Sequence, residues 1–209
     1  GRLNLNADAR LPLDEIAQTA AIALPAGLTL GTLTAQATAT GPVFNPLAVA
    51  DWQLRNGSVP GQGQLTYADQ LATIRETTFD VGGSPLQAMG QADLRSGLWQ
   101  ADLLGAGLNL GAVSPLLAGS AEVDISASGR LTELTPAGLQ AQGDLAFSAG
   151  VPLAIAGADS LLEGPLALSF DWDGQLLSVP TLTAPGLDVS GQVATVLNGD
   201  TGWPQPDEL

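Results

Sequence analysis

The 209-residue chain has no histidine, no cysteine and no lysine. Without imidazole, thiol or amine, Ser-His-Asp and Cys-His nucleophilic arrangements are impossible. No disulfide can form, and no thiolate metal site. The acid–base groups left are carboxylates, one tyrosine and six arginines, and the sequence predicts no enzyme and no cofactor. Aromatics make up 4% of residues, too few for a core built on large rings. Positive charge is scarce against 21 acids, giving a net charge of −15. A nucleic-acid site needs a basic stripe to displace counterions, and none exists, so no nucleic-acid partner is expected; the same deficit argues against docking on an anionic lipid surface. No run of 18 apolar residues occurs. The richest stretch, "AAIALPAGLTLGTL" (20–33), is broken by one proline and two glycines, so nothing spans a bilayer as a helix.

What is present is alternation. Leu3, Leu5, Ala7, Ala9 and Leu11 share one strand face, with Asn4, Asn6 and Asp8 on the other. The same period of two recurs near 121–131, 139–147, 166–172 and 187–193, each with one apolar and one wet face. Further strands are expected near 28–40, 47–56, 61–69, 71–81, 85–95, 98–107 and 175–183. Asn56-Gly57 and Asp173-Gly174 read as type I′ hairpin dipeptides. Gly82-Gly83-Ser84-Pro85 and Thr135-Pro136-Ala137-Gly138 read as looser breaks. Helical signal is confined to "PLDEIAQTAA" (12–21), with acids in its first turn, and one turn at "AVSPLLAG" (112–119). Less than about one residue in seven should be helical.

The chain repeats itself. "LPLDEI" (11–16) echoes "LNLGAV" (108–113), and "TATGPV" (38–43) echoes "SASGRL" (126–131). "TYADQL" echoes "DWDGQL" (171–176), and "QAMGQA" echoes "DVSGQV", all in unbroken order. A unit of about 100 residues therefore occurs twice. The expected division is 1–107, a first repeat with a preceding strand and a crossing loop; 108–197, a second repeat; and 198–209, a polar tail. Gly1 opens directly into an alternating strand, which reads as an internal piece of a longer chain.

Motifs that hint at chemistry are weak. Asp171, Asp173 and Gly174 suggest a fragment of a calcium loop, but the remaining ligands do not follow, so a strand end running into a turn is the better reading. "GAGLNLG" (105–111) lacks the dinucleotide-binding spacing. Asn56-Gly57-Ser58 fits a glycosylation sequon on a turn. No metal site is expected.

The apolar faces are a different matter. Helical segments are too few to cover ten or more strands. Either two sheets pack as a sandwich, or one sheet curls into a trough with an apolar lining. Ala, Gly and Thr are frequent on the inner faces; they fill a packed core poorly and line a trough well. The candidate lining is Leu65, Tyr67 and Phe79 from the first repeat. From the second it is Val123, Ile125, Leu145, Phe147, Leu166, Leu168, Phe170, Trp172, Leu187, Val189 and Val193. Glu122, Asp124, Asp144, Asp171 and Asp188 should face outward.

The phrases "PLDEI", "GTLTAQATATGPVFNPLA" and "GQGQLTYADQLATIRETTFDVGGSPLQAMGQADL" resemble the TamB family of the AsmA-like group, nearest its cyanobacterial branch, which is related to a chloroplast inner-envelope protein. "AEVDISASGRLTELTPAGLQAQGDLAFSAGVPL" and "LSFDWDGQLLSVPTLTAPGLDVSGQV" repeat the idiom. It covers about residues 2–197 and contains no catalytic motif. The resemblance implies an elongated curled antiparallel sheet, a β-taco with a hydrophobic groove, in a protein anchored in the inner membrane and crossing the periplasm. It implies lipid transport between inner and outer membranes, or assembly of outer-membrane proteins. The implied partners are a phospholipid or other acyl-chain ligand and, through the full-length protein, an Omp85-type barrel. Two other readings stay open: a β-sandwich or solenoid spacer of a large surface protein, and a chaperone-like binder of client strands at an open edge. Such edges also predict end-to-end self-association of this segment.

Overall fold

The computed structural model describes residues 1–19, 29–112, 119–148, 151–155, 158–162 and 165–194. It is mostly β, with 8% helix, and its main element is one curled, open antiparallel sheet of twelve strands. The strands run in chain order: β1 (Arg2–Pro12), β2 (Thr32–Pro42), β3 (Leu47–Arg55), β4 (Gly61–Ala68), β5 (Leu71–Val81) and β6 (Ser84–Asp93). They continue through β7 (Leu98–Asn109), β8 (Ser120–Arg130) and β9 (Leu139–Phe147). The hairpin β10 (Val151–Ile155) and β11 (Ala158–Leu162) stands apart as a second sheet. The large sheet resumes with β12 (Leu166–Trp172), β13 (Leu176–Ala184) and β14 (Leu187–Ala194). β1 and β14 are its outer edges. The sheet crosses residues 107 and 108 without a break, because β7 pairs with β6 on one side and β8 on the other.

The expected strands lie within a few residues of the observed ones, because alternation defines a strand wherever one face is apolar. The β10–β11 hairpin did not stand out in the sequence, because "VPLAI" carries no polar alternation. Residues 195–209, which include the expected polar tail, lie outside the described residues. The helix α1 (Leu13–Thr19) falls inside the expected 12–21. The Asp14 carboxylate accepts the Leu30 and Gly31 N–H groups at 2.7 and 2.9 Å, tying α1 to the start of β2. The expected turn at 112–119 falls on residues 113–118, which lie outside the described residues; a 3-10 turn at Leu110–Ala112 precedes them.

The turn chemistry differs from the expectation. Asn56 adopts φ 61°, but Gly57 is not left-handed, so this is no type I′ turn. Gly57 is needed for space instead: a β-carbon there would lie 2.6 Å from the Leu30 carbonyl oxygen. At Asp173-Gly174 only Gly174 has positive φ. The tight turns with two left-handed residues are Asp69-Gln70 (φ 52° and 66°), between β4 and β5, and Gly82-Gly83 (φ 62° and 92°), between β5 and β6.

Bulges bend the strands. β5 shifts register between Ile74 and Thr77 against β6, and β13 shifts between Val179 and Leu182 against β14. The paired residues are Gly90 and Ala88 in one case, Gly191 and Val189 in the other. The same defect therefore recurs at corresponding places, six strands apart. Each inserts extra backbone and increases the local twist and bend.

Candidate functional site

Register assigns each side chain to a face. One row runs unbroken through all twelve strands: Leu11, Leu33, Leu54, Gly61, Phe79, Leu86, Gly105, Val123, Leu145, Leu168, Leu182 and Val189 are successive directly paired positions. A second row runs Ala7, Ala37, Ala50, Leu65, Ile74, Gly90, Ala101, Ala127, Ala141, Trp172, Leu177 and Val193. Neither row contains a polar residue. With strands about 4.8 Å apart, each spans about 50 Å. The first row is largely leucine, and the second largely alanine and glycine. The lining is therefore stepped, tall on one side and shallow on the other.

Every residue of the candidate lining belongs to this face. Tyr67 pairs with Ala48 and Ala72. Ile125 and Phe170 both pair with Gly143, and Phe147 joins Ala121 to Leu166. Leu187 and Val193 occupy register positions opposite Ala184 and Leu177; their side chains lie outside the described residues. Cover is uneven. Leu166 is buried, most of the lining is half-buried, and Leu65 and Val189 are exposed, the latter at 43% because β14 is an edge. Glu122, Asp124, Asp144, Asp171 and Asp188 are all exposed on the opposite face.

The face also contains residues the sequence did not single out. Trp52 and Trp99 lie on it, opposite Gly63 and Gly129. Trp52 packs on Phe79, ring centroids 5.7 Å apart and tilted by 41°. β3 carries apolar residues on both faces, and the shift between Gly105 and Leu108 reverses the phase of β7, so alternation alone could not place them. A paired glycine next to each large side chain is the signal that identifies them.

Along one rim the lining is dry. Val81, Leu108 and Ala121 are buried, with Leu86, Val123 and Phe147 beside them and Val59 and Leu110 folding in from loops. Elsewhere cover is thin: six hydrophobic residues are buried among those described, and no large side chain is fully enclosed. Thr77 is the one buried polar side chain described; its hydroxyl reaches the Arg75 carbonyl oxygen at 3.2 Å, satisfying it at the bulge.

The opposite face is wet but not purely polar. Leu47, Leu71, Met89, Leu98 and Leu104 lie on it, each at least 39% exposed, so the face expected to be wet also carries exposed apolar side chains. Asp102 and Asp144 accept from Ser126 and Ser169 on neighbouring strands. Asp124 faces Asp144 directly. Shallow depressions of up to about 590 Å³ lie on this side; two are lined mainly by Gln, Asp, Ser and Thr, and the largest of the three also by Leu71, Leu98 and Leu139. The Asp173 carboxylate accepts the Leu176 and Gln175 N–H groups at 2.8 and 3.0 Å, which holds its pKa below the ordinary 3.8. It is thus committed to a turn. Among the described residues no cluster of three or more potential ligands could hold a metal.

No protein family, curated protein or solved structure matches the chain. What the site can do rests on its geometry alone. Among the described residues the two rows bring no polar side chains together. The site offers a long, continuous, partly uncovered apolar track.

Proposed function

We propose that this chain is a lipid-conducting or lipid-shielding segment of a TamB-like periplasmic bridge between inner and outer membranes. The observation that carries the reading is the pair of apolar rows crossing all twelve strands without a polar interruption. An acyl chain gains about 0.8 kcal/mol for each CH₂ taken out of water. Rows that carry no polar residue favour no single position along their length, so a chain can slide along them. The stepped cross-section gives the acyl chain a leucine-rich wall to lie against, beside a row in which alanine and glycine predominate. A phospholipid is the ligand, and an Omp85-type barrel is the partner of the full-length protein.

The test is native mass spectrometry of gently purified protein, with binding of an environment-sensitive apolar dye to the folded state. Bound phospholipid and dye fluorescence displaced by added phospholipid are expected. A protein that carries neither, while retaining its β spectrum, overturns the reading.

A further inference from the structure

The two ends of the strands differ. The turns after β2, β4, β6, β8 and β12 lie at one end of the large sheet, the turn end. The connections after β1, β3, β5, β7, β9 and β13 lie at the other, the loop end, and include the three long ones, residues 13–31, 110–119 and 148–165. Resting on the lipid reading above, we propose that a phospholipid lies across the groove in one orientation, its acyl chains toward the loop end and its headgroup at the turn end.

Burial separates the ends. All six hydrophobic residues that are buried among those described lie at the loop end: Val81, Leu108, Ala121, Leu166 and Ala184 at or near strand termini, and Ala17 in α1. The turn end is uncovered. Phe44, Leu94 and Leu134, all in its turns, are at least 50% exposed. The aromatic residues are sorted in the same direction. Phe79 and Phe147, whose rings carry no polar atom, lie near the loop end, with Trp52 and Phe170 between the two ends. Tyr67, Trp99 and Trp172 each lie within one residue of a strand terminus at the turn end. Tyr67 and Trp99 share a row, which runs Tyr67, Ala72, Ala92, Trp99, Gly129 and Leu139. The Trp172 indole N–H reaches out to a turn, donating to the Pro136 carbonyl at 2.8 Å. Tyrosine and tryptophan suit a boundary with one apolar side and one wet side, which is what the junction of acyl chain and headgroup is.

Length and charge fit the same orientation. On β6, Ala92 stands in the row of Tyr67 and Trp99, and Leu86 pairs with Phe79. The two levels are about 20 Å apart along the strand. The acyl chains of one leaflet span about 15 Å, half of a hydrocarbon core about 30 Å thick, so they fit between those levels. Beside the Trp99 row, on the wet face at the turn end, a depression of about 590 Å³ is lined by Arg130 and by Asp93, Glu133 and Asp173. Arg130 suits a phosphate, and the carboxylates suit an ammonium group. Backbone N–H groups lower the pKa of Asp93 and Asp173, so both stay charged at neutral pH. A zwitterionic headgroup finds a partner for each of its charges here, whereas a purely anionic one meets three carboxylates and a single arginine.

The chain has no cysteine, so one introduced thiol reports one position. Ala92→Cys and Leu86→Cys proteins, each carrying a small fluorophore and retaining the β spectrum, are loaded with phosphatidylcholine that bears a nitroxide either on the choline or at the end of an acyl chain. The Ala92→Cys label should lose fluorescence to the choline nitroxide, and the Leu86→Cys label to the chain-end nitroxide. If Leu86→Cys does not fold, Leu145→Cys takes its place, since Leu145 belongs to the row that contains Leu86. The reverse pattern, or equal quenching at the two positions, overturns the orientation and leaves the groove a lipid site. Quenching at neither position by either lipid overturns the lipid reading itself, and the orientation with it.

Discussion

Trp52 lies across Gly63, its direct partner on β4, so closely that a β-carbon at Gly63 would sit 2.9 Å from Trp52 Cζ2 and collide with the Thr77 hydroxyl. The glycine is the space the indole occupies. Gly63→Ala should therefore destabilise the sheet by about 1–3 kcal/mol, the usual cost of overpacking. Urea denaturation followed by tryptophan fluorescence measures it. Gly83→Ala is the contrast: nothing lies within 4 Å, but φ is +92°, so only conformational strain of about 1–2 kcal/mol applies.

Glu76 sits in the β5 bulge with φ 49° and an exposed side chain. A left-handed residue with a β-carbon is strained by about 1 kcal/mol or more relative to glycine. Glu76→Gly should raise stability by about 0.5–1 kcal/mol, and Glu76→Val should lower it. Urea midpoints of the two variants give the sign directly.

Phe170 pairs with Gly143 and is only half-buried. A carboxylate at this position keeps contact with water, so the several kcal/mol cost of a fully buried charge does not apply. Phe170→Asp should preserve the β spectrum and the melting profile of the parent protein while reducing bound lipid or dye. Ser169 is a poor control, because its hydroxyl donates to Asp144 and an acid there would face another. Gln87→Glu, on the wet face of β6, is the better one and should change neither property. Unfolding of Phe170→Asp would show that this part of the lining is a packed core.

Asp173 and Asp93 are carboxylates with pKa values lowered by backbone N–H groups, those of Leu176 and Arg95 foremost. A depressed folded pKa stabilises the protein above the unfolded value of 3.8, and the contribution is lost as pH falls through the lower folded value. The β12–β13 and β6–β7 turns should thus loosen only below about pH 4. Carboxyl-carbon NMR titration of these residues should show midpoints below 3.8; midpoints at or above it would contradict the turn geometry.

The strands were legible because each has one apolar face, and β4, β5 and β9 lie within about two residues of their expected bounds. The lining was legible where large residues alternate, as in Val123 and Ile125. It was not legible at Trp52 and Trp99, where a strand is apolar on both faces or a bulge reverses the phase. Turn types were the weakest reading. Type I′ geometry at Asp69-Gln70 is imposed by the pairing of β4 with β5, since neither residue prefers positive φ strongly enough to announce it. The cross-strand rows could not be read from sequence, because they depend on register summed over eleven ladders.

In the large sheet every ladder but one joins strands consecutive in the chain, and the exception, β9 with β12, skips only the β10–β11 hairpin. No strand depends on a distant one to complete its pairing. Such a meander can assemble in the order in which it is synthesised, each hairpin docking on the last, without waiting for residues far downstream. It also loses structure locally. Energy is passed between nearest neighbours as in a repeat array, so unfolding should spread inward from the edges rather than in a single all-or-none step. Tension applied across the strands would open the ladders one at a time, like a zip, and the sheet would yield gradually where a sandwich would snap.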